Sequence, residues 1–138
     1  MDKKKILFVD DELDMRLHLR TLLETSGYLP IAARNGKEGL QRARDQRPDL
    51  IILDVMMPEA GGVLMYRELK GDPELKHIPV IMLSGVGEKS FAHSLKLFDI
   101  TVKEPIPEPD AYLEKPLEHR KLLDVIDRLV GQNKPASG

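Results

Sequence analysis

The chain has 138 residues, 41% of them hydrophobic, with 21 basic against 23 acidic side chains and a formal net charge of −2. That is enough apolar material for one compact core, and it gives no electrostatic footing for nucleic acid. The lack of cysteine excludes a disulfide framework or a thiolate metal site, and neither a transmembrane run nor a signal peptide follows the MDKKK start, so a cytoplasmic protein without membrane association is expected.

In chain order, ILFVD at residues 6–10 predicts a first strand. Met15, Leu19, Leu22 and Leu23 then recur on one helix face, and Gly27 is placed to end that helix. Tyr28 to Ala33 reads as a second strand. Asn35 with Glu38 resembles a capping box for a short helix carrying Leu40 and Ala43, which Pro48 stops. LIILD at residues 50–54 is the most apolar strand and belongs at the sheet centre, buried on both faces. Gly61 and Gly62 mark the loop that follows. Leu64, Met65 and Leu69 predict a third helix closed by Gly71-Asp72-Pro73, and PVIMLS a fourth strand. Phe91, Leu95 and Phe98 hint at a fourth helix. AYLEKP at residues 111–116 is a short fifth strand ending on Lys-Pro, and Leu122, Leu123, Ile126, Leu129 and Val130 give the fifth helix its apolar face. Five strands alternating with five helices predict an α/β fold, a doubly wound parallel sheet in the order 2-1-3-4-5 of the flavodoxin-like type.

Four fragments carry the chemistry: ILFVDDE at 6–12, LIILDVMMP at 50–58, PVIMLSG at 79–85 and AYLEKP at 111–116. As neighbouring parallel strands they bring Asp10, Asp11, Asp54, Ser84 and Lys115 to one edge, because open α/β sheets build sites outside the carboxyl ends of their strands. Clustered carboxylates repel unless a cation separates them, and Mg2+, a hard ion content with one or two carboxylates plus water and phosphate oxygens, fits a shallow acidic cup. With that charge offset, one carboxylate can attack phosphorus, and Asp54 is the candidate because it ends the central strand. Ser84 can hydrogen-bond a phosphoryl oxygen and Lys115 can pair with another. Singly, each fragment also has a bland explanation, such as acidic residues favoured at a helix N-terminus or a proline at a helix start. Their joint occurrence in this order favours the site.

Over about residues 4–130 the chain resembles a response-regulator receiver domain of two-component signalling, similar to stand-alone chemotaxis regulators. The resemblance implies that Asp10, Asp11, Asp54 and the backbone carbonyl of Met56 hold Mg2+, and that Asp54 is the phosphoacceptor. It implies that Ser84 and Lys115 bind the phosphate, and that Tyr112, three residues before the lysine, is an aromatic switch. It also makes Lys115-Pro116 the place to expect a cis peptide. The donor would be a histidine kinase or a phosphotransfer protein. Output would be altered binding of a protein target through the predicted fourth helix, fifth strand and fifth helix, with no turnover of an external substrate. Residues 1–130 would form the domain and 131–138 a short polar tail.

The interval from Ser84 to Lys115 is longer than the family leads one to expect. The surplus lies in ITVKEPIPEPD, where Pro105, Pro107 and Pro109 favour an extended, exposed and fairly stiff segment, either a tolerated insertion or a partner-contact element. Two residues past Asp54 and past Ser84 stand Met56 and Val86, neither able to orient a hydrolytic water. His18, His77, His93 and His119 are scattered without ligand spacing. Two other readings remain: a Mg2+-dependent phosphohydrolase using an aspartyl phosphate, disfavoured by Met56 where a second acid is needed, and a non-phosphorylated pseudo-receiver acting as a binding module.

Overall fold

The computed structural model describes residues 3–55, 57–58, 61–84 and 107–131. Its elements are β1 (Lys5–Val9), α1 (Leu13–Thr25), β2 (Leu29–Ala33), α2 (Gly36–Gln46), β3 (Leu50–Asp54), α3 (Gly61–Gly71), β4 (Val80–Ser84), β5 (Ala111–Glu114) and α4 (His119–Val130). The last of these is the fifth helix expected from the sequence. The helix expected around Phe91, Leu95 and Phe98 lies outside the described residues, as do Met56, Val86 and residues 132–138 of the expected tail.

The strands form one sheet in the order β2-β1-β3-β4-β5, and every pairing is parallel. Alternation along the strands divides the core between two layers. Leu7, Val9, Ile51, Leu53, Val80 and Met82 face one layer with Ala43 of α2 and Met65, Tyr66 and Leu69 of α3. Ile6, Phe8, Leu50, Ile52, Ile81 and Leu83 face the other with Leu19 and Leu23 of α1 and Leu122 and Ile126 of α4. Strands covered on both sides carry continuous apolar runs, and each such side chain contributes about 1.5–3 kcal/mol on burial. Among the described residues no helix is long and apolar enough to cross a membrane.

The helix ends follow local chemistry. Asn35 Oδ1 accepts from the Glu38 amide at 2.8 Å, the first half of the expected capping box. The Glu38 carboxylate reaches the Arg34 amide at 2.9 Å, one residue before the cap. The peptide between Lys115 and Pro116 is cis, as the resemblance led us to expect.

Two expectations need correction. Gly61 and Gly62 open α3 rather than forming a loop; a Cβ at Gly62 would stand 2.4 Å from the Asp54 carbonyl oxygen, so the helix start seats on the end of β3 only without a side chain. Tyr28 precedes β2, its ring buried and its hydroxyl donating to the Asp127 carboxylate of α4. Of the proline-rich segment, expected to be exposed and fairly stiff, only residues 107–110 are described: Pro107, Glu108 and Asp110 are exposed and Pro109 is buried, and the segment is fastened where it enters β5, the Tyr66 hydroxyl donating to the Pro107 carbonyl at 2.6 Å and Asp110 bonding Val80 through both its amide and its carboxylate.

Candidate functional site

β1 stands between β2 and β3, so successive connections leave it in opposite directions and open a crevice at its carboxyl end. Asp10 follows β1 there and Asp54 ends β3 beside it. Both are buried, at 0% and 1% exposure, whereas Asp11 is exposed. The ladder fixes the neighbours. Val55 donates to Leu83 O at 2.9 Å, carrying Asp54 alongside the end of β4, and Lys115 N donates to Ser84 O at 3.0 Å, bringing the lysine past β5 to the same edge.

The side chains then converge. Lys115 Nζ lies 3.2 Å from Asp54 Oδ2 and 3.4 Å from Asp10 Oδ2, holding both buried carboxylates at once. Asp10, Asp11 and Asp54 each offer an oxygen within 4.8 Å of the others. Ser84 is buried at the same edge, and Tyr112 is a half-buried residue of β5 packed against the core layer of α2 and α3. Five of the expected site side chains thus share one edge. The Met56 carbonyl lies outside the described residues.

Electrostatics give this edge its character. Burial raises the Asp10 pKa and the Asp54 charge adds to the rise, against the Glu12 amide, which donates to Asp10 Oδ1 at 3.0 Å, and against Lys115. Burial works against a charged Lys115, yet the Asp54 and Asp10 charges and their hydrogen bonds outweigh it, and its pKa is raised. A buried carboxylate held above its usual range beside two others, three hard oxygen donors among the described residues, fits a small divalent cation of the Mg2+ kind. One contact had no sequence signal: Arg16 Nη1 donates to the Asp10 carbonyl at 2.9 Å, pinning the turn from β1 into α1.

A response regulator receiver domain model matches residues 6–127. The polar-differentiation response regulator DivK of Brucella anthropi is 36% identical over 131 residues, covering 95% of this chain and 98% of that protein. Among solved structures, the Vibrio cholerae chemotaxis protein CheY4 superposes with a TM-score of 0.78 at 26% identity, covering 93% of this chain and 99% of its own. The signal receiver domain of a signal transduction histidine kinase from Syntrophus aciditrophicus gives a TM-score of 0.76 at 32% identity, covering 98% and 96%. These relatives favour neither the phosphohydrolase nor the pseudo-receiver reading.

Proposed function

The chain belongs to the response regulator receiver domain family, and from that premise we propose that it accepts a phosphoryl group on Asp54 from a phosphohistidine of a histidine kinase or phosphotransfer protein. The observation that carries this reading is the convergence of Lys115 on Asp54 and Asp10, with a third carboxylate from Asp11 within reach.

Asp11, Asp54 and the Met56 carbonyl would hold Mg2+, with Asp10 assisting directly or through water. The ion's contribution, when bound, is to offset the carboxylate charges and those of the incoming phosphoryl oxygens. An Asp54 oxygen forms the new P–O bond in line as the donor's P–N bond breaks, and the donor imidazole leaves with its electron pair and takes up a proton. Lys115 exchanges its contact with Asp54 Oδ2 for one phosphoryl oxygen, and Ser84 donates its hydroxyl to another. Ser84's shift lets Tyr112 turn inward, which biases a two-state surface formed by the predicted fourth helix, β5 and α4 toward or away from a protein target. On this reading residues 1–130 are the domain and 131–138 a short polar tail, the setting is cytoplasmic, and the protein is a regulator that turns over no external substrate.

Incubation with Mg2+ and acetyl phosphate should add one phosphoryl group by intact mass, and Asp54→Asn should abolish it. Equal labelling of that variant would overturn the assignment.

A further inference from the structure

His18 and His119 stand 101 positions apart in sequence, yet their Nε2 atoms meet at 2.6 Å across the surface between α1 and α4. Their ring centroids are 4.6 Å apart with a 43° tilt, and both residues are exposed. An N–H···N contact requires a bare lone pair on one ring, so two imidazole nitrogens aim at a single point, one of them already as a base. Asp14 lies four residues before His18, on the same helix face. Glu12, Asp14 and His18 line one surface hollow beside the pair.

We propose that His18 and His119 form a second metal site, taking a borderline divalent transition ion such as Zn2+, Ni2+ or Cu2+, with water completing the coordination. Imidazole nitrogens select such ions over Mg2+, so the donors separate this site from the carboxylate cup. Nitrogen–metal bonds of 2.0–2.1 Å at a tetrahedral angle place the two nitrogens roughly 3.3 Å apart, so the observed 2.6 Å has to open by roughly 0.7 Å. Both rings project from exposed helix positions, where small side-chain rotations supply that distance. The ion takes the place of the proton between the rings.

The consequence lies in where the two helices begin. α1 starts three residues after Asp10, and α4 starts four residues after Lys115. A metal held by both helices links the connectors of two groups that meet at the acidic edge. Because the ligands are brought together only by folding, the ion binds the native state preferentially and stabilises it in proportion to its concentration.

The test uses untagged, Mg2+-saturated full chain titrated with Zn2+, reading the thermal midpoint, and with Cu2+, reading the electron paramagnetic resonance spectrum. The Zn2+ concentration that half-saturates the rise in Tm should increase at least about tenfold in His18→Ala and in His119→Ala. The Cu2+ spectrum should show coupling to two imidazole nitrogens in the parent and lose it in the variants. Any Zn2+ bound by the carboxylates alone survives all of these changes and so drops out of the comparison. His18→Gln and His119→Gln keep a hydrogen-bonding side chain between the helices. They should restore the metal-free Tm without restoring the Zn2+ response. A Zn2+ response unchanged in the alanine variants, or recovered in the glutamine variants, would overturn the site, as would a parent spectrum lacking nitrogen coupling.

Discussion

Replacing Gly62 with alanine probes how tightly α3 seats on the end of β3. The new Cβ would stand 2.4 Å from the Asp54 carbonyl oxygen, 2.7 Å from Val55 Cα and 3.2 Å from the Asp54 carbonyl carbon. Comfortable separations between such atoms are about 3.5 Å, so something must move by about 1 Å. All three are backbone atoms and none can swing aside. Alanine recovers about 1 kcal/mol of helix propensity over glycine, whereas overpacking costs about 1–3 kcal/mol and belongs at the upper end here. The net loss is about 1–2 kcal/mol, or about 3–7 °C in Tm for a domain of this size. Two other glycines serve as controls. At Gly39 the Cβ meets Met65 Cε and Sδ at 2.8 Å and Val9 Cγ2 at 2.9 Å; the thioether can reorient but the buried, β-branched Val9 cannot, so Gly39→Ala should also lose stability, though less than Gly62→Ala. At Gly71 it meets nothing within 4 Å, so Gly71→Ala should gain about 0.5–1 kcal/mol. Thermal unfolding by circular dichroism ranks the four proteins. A Gly62→Ala protein melting at or above the parent would refute the close seating of α3.

Asp10→Asn should raise Tm at pH 7 without Mg2+. Burial holds the Asp10 pKa above its ordinary 3.8, so ionisation costs stability as pH rises through the folded-state value, and this cost is absent below the unfolded-state value. The gain should therefore shrink on acidification and on adding Mg2+; a variant less stable than the parent at pH 7 would show that ionised Asp10 is net stabilising through Lys115. Asp11→Ala should weaken Mg2+ binding at least about tenfold, or about 1.4 kcal/mol, in a calorimetric titration, and an unchanged isotherm would remove Asp11 from the site. Phosphorylated protein should decay slowly, and Met56→Asn with Val86→Glu should hasten hydrolysis by about tenfold, the effect of about 1.4 kcal/mol on the barrier; fast parental decay unmoved by the double change would show that other groups place the water.

Strands β1, β3 and β4 were legible because burial on both faces leaves an uninterrupted apolar run, and Asp54 and Ser84 each close such a run. Once the strand ends are known, a parallel sheet brings those side chains and Lys115 to one edge whatever the detail of packing. What the sequence concealed depends on contacts between distant segments. Gly61-Gly62 carries the composition of a loop, and only the nearness of the Asp54 carbonyl explains why a helix begins there. Tyr28 has the residue type of a strand, yet its partner is Asp127 on the far end of the chain. Pro109 is buried because Tyr66 and Val80 fasten the segment around it. His18 and His119 have no mutual spacing to notice, since their meeting follows from α1 and α4 covering the same face of the sheet.

Asp54 as the acceptor is tested most directly by reducing the acetyl-phosphate-treated protein with borohydride and mapping its peptides by mass. Hydride converts an aspartyl phosphate to homoserine and leaves free carboxylates untouched, so the modified position records which carboxylate took the phosphorus. Homoserine at position 54, in amounts matching the phosphoryl group added, is the expected result. Homoserine at position 10 or 11 with unmodified Asp54, or a phosphorylated protein yielding none, would contradict it.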